Sequence, residues 1–234
     1  MFNKIVTTLL IVSLINFFVF PAVLAQDTSS QEDIENNSQI VEQNQKPDEN
    51  EEAVYINAQN LDYHDEKTIL SGGLEIRKDD TEIKSEQGEL FREENKMLLK
   101  ENIKVVYPDG EVSSELLTAF LKSEEYIFEK NVNLNYKLQN QDDNLFLTSN
   151  YLKIFGENNN FTAEENIVID YEDQKFKGDK AEYDGESEEL LLTGNVKIEE
   201  GEDWIKSDRA VFNLGEDEEG YQAEGNVEVK MILE

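Results

Sequence analysis

The chain has 234 residues, of which 38% are hydrophobic, and its 21 basic and 53 acidic side chains give a formal net charge of −32. This length suffices for one domain of moderate size with a buried core. The charge argues against nucleic acid as a partner, because a polyanion would be repelled. Zero Cys and a single His exclude disulfides, cysteine nucleophiles and His- or thiolate-based metal sites, and we predict no catalytic residue, no metal and no cofactor.

Residues 1–25 have the organisation of a secretory signal peptide. Lys4 precedes an apolar stretch over residues 5–20, and Pro21 and the Val-Leu-Ala tripeptide at 23–25 follow it. This order is typical of a segment that signal peptidase removes after Ala25. The alternative is an uncleaved anchor, because such a stretch approaches the length that spans a bilayer. In both cases we expect the rest of the chain to lie outside the cytoplasm.

Residues 26–52 are predicted to be a disordered acidic linker. The segment is rich in Gln, Asn, Glu, Asp and Ser, it has no aromatic residue, and it carries one basic and nine acidic side chains. Such a composition cannot bury enough apolar surface to offset the entropy of ordering.

Apolar residues alternate with polar ones from Ala53 to the end of the chain. Clear examples are Val132, Leu134 and Tyr136, and the later run at residues 167–171. A period of two predicts strands with one face buried. Polar turn residues separate the strands, and Pro108 lies in one of these turns. We therefore predict one all-β domain over residues 53–234.

Two markers recur along this domain and indicate a repeat. The first is a small residue two positions after an apolar one: Ala58, Ser85, Ser114, Ser149, Gly178 and Ser207. The second is a Gly or Asn at the start of a strand, a residue type that tolerates a bulge or a left-handed turn: Gly73, Asn102, Asn131, Asn166, Asn195 and Asn226. Both series lengthen in the same interval, as a six-residue insertion near residues 139–144 would produce. The sequence thus predicts six copies of a two-strand unit, which must stack to bury their inner faces.

The repeat resembles a known family. Its clearest copy is LTGNVKI at residues 192–198 followed by WIKSDRAVF at 204–212. Over about residues 53–234 the pattern resembles the OstA-like domain of the lipopolysaccharide transport (Lpt) system, the family of LptA. The resemblance implies an open, V-shaped and elongated β-jellyroll packed around an apolar interior.

The resemblance also implies a function. Members of this family pass lipopolysaccharide through the periplasm to the outer membrane by stacking jellyrolls head to tail. The implied partners are lipopolysaccharide or a similar glycolipid, LptC-like and LptD-like jellyrolls, and further copies of the chain. If the N-terminus is not cleaved, the alternative is a membrane-anchored LptC-like subunit of the same transporter.

The inward strand faces are the candidate lipid-binding groove, because an apolar trough can shelter acyl chains at about 0.8 kcal/mol per buried CH₂. The alternative is that the same side chains form a closed core. The predicted lining residues are Ile56, Ile76, Ile83, Ile103, Val105, Val112, Val132, Leu134, Leu147, Ile154, Ile167, Ile169, Val196, Ile198, Ile205, Phe212, Val227 and Val229.

The domain begins and ends abruptly on strands, whose free backbone groups could pair with another subunit. Such contacts do not close and would build a filament. The predicted oligomer edges are Val54, Ile56, Val227, Val229 and Met231. The alternative is that the acidic linker, or Lys230 and Glu234, protects these edges.

Two other classes of protein fit an all-β repeat. One is a surface parallel β-helix with an adhesive or structural function, and the other is a polysaccharide-active enzyme on such a helix. Carboxylate pairs occur throughout the chain, for example Glu93-Glu94 and Glu188-Glu189, so none stands out as an acid and base pair.

Overall fold

A computed structural model describes residues 55–78, 80–138, 144–156, 160–214 and 220–233. The predicted signal peptide and acidic linker and the edge residue Val54 lie outside these ranges. Within them, no helix is long and apolar enough to cross a membrane. The described residues form fourteen β-strands: β1 (Tyr55–Asn57), β2 (Asn60–Tyr63), β3 (Lys67–Lys78), β4 (Thr81–Phe91), β5 (Lys96–Tyr107), β6 (Gly110–Phe120), β7 (Glu125–Lys137), β8 (Asn144–Phe155), β9 (Asn160–Tyr171), β10 (Gln174–Asp184), β11 (Glu189–Glu200), β12 (Asp203–Asn213), β13 (Gly220–Glu224) and β14 (Glu228–Lys230).

All fourteen strands belong to one sheet, in which β3 to β12 follow one another in sequence order. Each pairing between described strands is antiparallel, and the two ends of the sheet do not pair with each other. The predicted open β-jellyroll is confirmed. The parallel β-helix alternative is wrong, because successive coils of such a helix stack as parallel strands, whereas short turns here join antiparallel neighbours.

The short terminal strands complete the repeat. β1 and β2 both pair with β3, each along one half of it. In the same way, β13 and β14 pair with the two halves of β12. Each short pair takes the place of one long strand, which gives six two-strand units, as predicted. The longer interval between markers falls on the connection between β7 and β8, at residues 138–143, whereas two residues join β5 to β6.

Every second strand changes direction at its middle. Two consecutive residues there have positive φ, and the pairing register shifts at the same place. Asn and Gly reach this left-handed region at the least steric cost, which explains the second sequence marker. We call this line of bends the corner; its residue pairs are Gly72-Gly73, Glu101-Asn102, Lys130-Asn131, Glu165-Asn166, Gly194-Asn195 and Gly225-Asn226.

Side chains on the neighbouring strands stabilise the corner. Four serines of the first marker donate their hydroxyls to the backbone carbonyl two residues later, for example Ser114 to Leu116 at 3.0 Å. Four corner asparagines donate Nδ2 to a carboxylate that follows the first marker, for example Asn195 to Asp179 at 2.8 Å. The small residues therefore have a hydrogen-bonding function in addition to their small size.

The corner divides the sheet into two leaves that face each other. Leaf 1 contains β1, β14 and the strand halves that meet at the connections between β3 and β4, β5 and β6, β7 and β8, β9 and β10, and β11 and β12. Leaf 2 contains β2, β13 and the other halves. Phe176 of leaf 1 packs edge-to-face on Phe212 of leaf 2, with ring centroids 4.4 Å apart. Leu74 of leaf 1 likewise lies against Gly88 of leaf 2, where an added Cβ would be 2.7 Å from Leu74 Cδ2. The core lies between the leaves.

Candidate functional site

All the predicted groove residues except Val227 lie on the inner faces of the two leaves. Fifteen of them belong to leaf 1, and Ile154 and Phe212 belong to leaf 2, as the pairing registers place them. Val227 directly precedes β14. Most are buried, with exposed fractions of 4% or less, while Ile56 and Ile205 are partly buried. Val227 and Val229, next to the last edge of the sheet, are about half exposed, at 49% and 47%. The structure thus brings the predicted residues together on one continuous apolar surface.

The prediction missed most of the leaf 2 contribution. Leaf 2 supplies an inner row that crosses the sheet in register, from Leu70 beside β2 to Ala210 beside β13. The signal was present as alternation, for example Met97 and Leu99. The buried residues of leaf 2 outside the predicted set include Leu90, Met97, Leu99, Leu117, Tyr126, Phe128, Leu152, Phe161, Leu190 and Leu192.

Next to the corner, leaf 1 alternates large and small inner side chains. Ile103 and Val132 come from the strands that bend, whereas Ser114 and Ser149 come from their neighbours, and all four are buried. The small residues leave room for the large ones where the leaves are closest. The apolar surface is therefore continuous up to the corner.

Opposite the corner the strand turns of the two leaves form an edge that we call the mouth. Tyr136 of leaf 1 lies here, where burial and the nearby charges of Asp109 and Glu188 raise its pKa to about 12. Asp109 belongs to a turn of leaf 1 and Glu188 to a turn of leaf 2, so Tyr136 lies between the tips of both leaves. Burial also raises the pKa of Tyr107 and Tyr183. These phenols stay neutral at ordinary pH and present an apolar ring inward.

The mouth is joined by side-chain packing. Leu121, Leu138 and Leu214 extend from turns and are buried, at 5%, 4% and 6% exposure. The backbone hydrogen bonds between described turns join turns of the same leaf, for example Leu214 N–H to Glu188 O at 2.9 Å in leaf 2. The backbone holds the leaves together at the corner, whereas packing of Leu and Tyr side chains brings them together at the mouth.

Within the described residues, no strand covers either end of the interior. Leu61 on β2 and Tyr221 on β13 face inward, yet they are 66% and 41% exposed, because no further described strand lies beside them. Nine of the eleven large apolar side chains exposed within the described ranges lie at these two edges. Of the predicted edge residues that the structure describes, Ile56 is partly buried, while Val227, Val229 and Met231 are exposed.

Ion pairs cover much of the outer face of leaf 1. Glu199 accepts hydrogen bonds from Lys177, at 2.7 Å, and from Lys197, and these hold its pKa at about 2. Glu82, between Lys84 and Arg77, also has a pKa of about 2 for the same reason. Such carboxylates stay ionised and paired, which suits a solvated surface better than proton transfer.

An open antiparallel sheet folded around an apolar interior, with both ends uncovered, defines the protein as an open β-jellyroll. The family model described as "LptA/(LptD N-terminal domain) LPS transport protein" matches residues 53–218 and 175–232. The chain belongs to this family of lipopolysaccharide transport proteins, as its repeat predicted.

The other comparisons add little. No curated protein matches the chain. Among solved structures, a match is the crystal structure of LptH, described as the LptA homologous periplasmic component of the conserved lipopolysaccharide transport device from Pseudomonas aeruginosa. The similarity covers 57% of this chain and 77% of that one, with 11% sequence identity and a TM-score of 0.39.

Proposed function

We propose that the protein carries lipopolysaccharide across the periplasm with its acyl chains sheltered between the two leaves. The observation that carries this proposal is the continuous apolar interior that is open at both ends of the sheet. Each CH₂ group transferred from water to such a surface contributes about 0.8 kcal/mol. A lipid with several acyl chains is thereby protected from water without a covalent step, so the function needs no catalytic residue.

Acyl chains enter this interior by separating the leaves at the mouth. The inner side chains are already packed against one another, so a lipid must replace contacts between the leaves. Separation at the mouth breaks packing among residues such as Leu121 and Leu214, while the hydrogen-bonded corner stays intact. The predicted groove residues near the middle of the sheet, such as Ile167 and Ile169, then contact the lipid.

The uncovered edges support head-to-tail assembly. β1 and β14 both belong to leaf 1, and β2 and β13 both belong to leaf 2. If the last edge of one copy pairs with the first edge of the next, leaf 1 continues leaf 1 and leaf 2 continues leaf 2. The interiors then join into one groove. The same edges suit LptC-like and LptD-like jellyrolls, which are the partners we propose at the ends of the bridge.

The N-terminal segment distinguishes a soluble link from an anchored subunit. Cleavage after Ala25 releases the domain into the periplasm, whereas the apolar stretch over residues 5–20 would hold an LptC-like subunit at the inner membrane. N-terminal sequencing of the mature protein decides between them. A start at Gln26 supports the soluble link, and a start at Met1 supports the anchored subunit.

Photocrosslinking in cells tests the groove. A photoreactive amino acid at Ile167, which is buried on the inner face, should give adducts with lipopolysaccharide, and so should one at Ile83. Val168 is the matched control, because it follows Ile167 in β9 and points to the outer face. Adducts only to protein, or equal lipid labelling at Ile167 and Val168, would contradict the proposal.

Substitution at an exposed edge tests the assembly. Leu61→Asp places a charge on an edge side chain that is 66% exposed, so the monomer should fold while the oligomer weakens. Phe146→Asp is the matched control, since Phe146 is 49% exposed but lies away from both edges. Molar mass from light scattering should fall for Leu61→Asp alone. Equal masses for the two variants would exclude this edge from the assembly.

A further inference from the structure

The outer face of leaf 2 carries apolar side chains across β3 to β8. Strand pairing places the outward residues of these six strands in three rows, each residue directly opposite the next. The apolar members are half-buried or exposed and point away from the core. We call this set the outer patch; it consists of Ile69, Phe91, Leu98, Leu116, Phe120, Ile127, Tyr151 and Phe155.

The repeat itself does not require these residues. On β9 to β12, which pair in the same antiparallel way, the corresponding rows contain Leu191 and Val211 among polar residues such as Thr162, Lys180 and Glu182. A sheet face that is apolar over one half and polar over the other indicates a contact surface on the apolar half.

The outer patch is close to neutral in a chain of net charge −32. Lys67 and Lys100 both contact Glu89, at 2.8 and 2.6 Å, and Lys153 contacts Glu125 at 2.7 Å. Because these charges are already paired, the patch has little attraction for a free anion. For the same reason, a second copy of this acidic chain meets less repulsion here than at a surface of unpaired carboxylates. The charged residues within the three rows are Lys67, Glu89, Lys96, Lys100, Glu125, Glu129 and Lys153.

The row of the outer patch beside the mouth is complementary to itself in reverse order. Across β3 to β8 it reads Lys67, Phe91, Lys96, Phe120, Glu125 and Phe155. A two-fold axis that runs along the strands, between β5 and β6, sets each residue of one copy against a residue from the other end of the row in its partner. Lys67 then faces Phe155 and Lys96 faces Phe120, so each of these lysines meets an aromatic ring.

The other two rows supply an apolar centre of sufficient area. Leu98 and Thr118 lie opposite each other at this axis, and Leu116 and Ile127 adjoin Thr118. Six strands about 4.8 Å apart and three rows over about 20 Å give about 600 Å² per copy. Two copies therefore bury about 1,200 Å² in total, which is the lower end of the range for specific protein interfaces. An association of this size is reversible and depends on concentration.

We propose that two copies of the chain pack back to back through the outer patch and form a two-fold symmetric dimer. Two sheets that pack face to face keep their strand directions within about 30° of each other, as an axis along the strands requires. The contact uses a face of the sheet and leaves both of its edges accessible, so the inference does not depend on lipid binding or on head-to-tail assembly. With leaf 2 of each copy held against the other, the mouth opens by movement of leaf 1.

Ile127→Lys tests the centre of the outer patch. The new ammonium group would lie on the outer face of β7 between Glu125 and Glu129, so the monomer should fold, which circular dichroism checks. The change also lowers the net negative charge, so weaker association could not come from repulsion between whole chains. Sedimentation velocity over a concentration series should show dimerisation at least about tenfold weaker than without the change. The series is measured in the Leu61→Asp background, where the edge contact is weakened.

Leu191→Lys is the matched control, because Leu191 is half-buried in the same row but lies on β11, outside the outer patch. It should leave dimerisation unchanged. A Leu61→Asp protein that stays monomeric at every concentration, or an equal loss for Ile127→Lys and Leu191→Lys, would overturn the proposal.

Chemical crosslinking distinguishes a two-fold contact from a head-to-tail contact. The chain has no Cys, so Thr118→Cys introduces its only thiol. Thr118 lies beside the proposed axis, and sheets that pack face to face are about 10 Å apart, so a bismaleimide of similar length should link two copies. Thr162→Cys is the matched control: Thr162 is a half-buried threonine of the same row on β9, and its two copies would be about 34 Å apart.

Covalent dimers of Thr118→Cys alone would support the proposal, because a head-to-tail contact joins two different surfaces and does not bring a residue to its own copy. Dimers of neither variant, or equal amounts of dimer for both, would overturn it. Crosslinks from Thr118→Cys to a different protein in cells, in place of the dimer, would assign the outer patch to another partner and would also overturn it.

Discussion

The corner gives the sharpest test of how the sequence determines this fold. Asn195 has φ of 49° and follows Gly194, whose φ is 75°. A β-branched residue is strained in this region, at about 1–2 kcal/mol. Asn195→Val also removes the 2.8 Å hydrogen bond to Asp179, an exposed contact that adds about 0.5 kcal/mol. We expect the free energy of unfolding to fall by about 2 kcal/mol.

A glycine at the same position separates the two contributions. Asn195→Gly loses the hydrogen bond but keeps access to positive φ, so its free energy of unfolding should fall by less than about 1 kcal/mol. Urea unfolding followed by circular dichroism measures both variants. If Asn195→Gly lost as much stability as Asn195→Val, the side-chain hydrogen bond and not the backbone conformation would stabilise the corner. If Asn195→Val were as stable as the wild type, the corner would not require a residue that tolerates positive φ, and the second sequence marker would have another origin.

Three other properties are expected. Phe212→Ala removes a buried ring that packs on Phe176 across the leaves and should cost about 3–5 kcal/mol in urea unfolding, whereas the outward-facing Val211→Ala should cost clearly less. Glu199 has a pKa of about 2 in the folded chain against 4.5 unfolded, so it contributes stability at pH above 4.5 that is lost as the pH falls towards 2. Glu199→Gln should reduce this loss of stability in acid. The same pH dependence of the free energy of unfolding in the variant and the wild type would contradict the ion-pair assignment. Raising NaCl from about 10 mM to about 150 mM shortens the Debye length from about 30 Å to about 8 Å. Because this screens the repulsion between chains of net charge −32, light scattering should show larger oligomers. Smaller oligomers would mean that ion pairs hold the subunits together.

The six repeats and their bends could be predicted because they depend on backbone chemistry that only a few residue types satisfy. Asn131 and Asn166 occupy left-handed positions, as their type indicated. The lengthened connection between β7 and β8 also followed from two markers that shift together. The serines of the first marker were correctly located, but their hydrogen bonds to carbonyls were not foreseen, since a sequence does not show which carbonyls a bend leaves without a partner.

The residues of the apolar interior could be predicted only in part. Alternation correctly identified inner residues such as Ile169 on leaf 1. It missed Leu152 on leaf 2, because the residues were selected mainly next to the two markers, on the leaf 1 side of the corner. Closure of the mouth by Tyr136 and Tyr183 could not be predicted at all. It depends on the twist of two leaves relative to each other, and periodicity within a strand carries no information on that twist.

The two ways in which the leaves are joined have a consequence for transport. At the corner, separation would break backbone hydrogen bonds such as Asp208 N–H to Gly225 O at 2.9 Å. At the mouth it would exchange the packing of apolar side chains for packing against acyl chains, which are of similar polarity. The free energy of this replacement is therefore close to zero per unit area, because the apolar side chains exchange contacts with one another for contacts with acyl chains. If the proposed function holds, a lipid that has entered at the mouth would meet no large barrier along the inner rows, and its direction of movement would have to come from supply at one end of the proposed bridge and removal at the other.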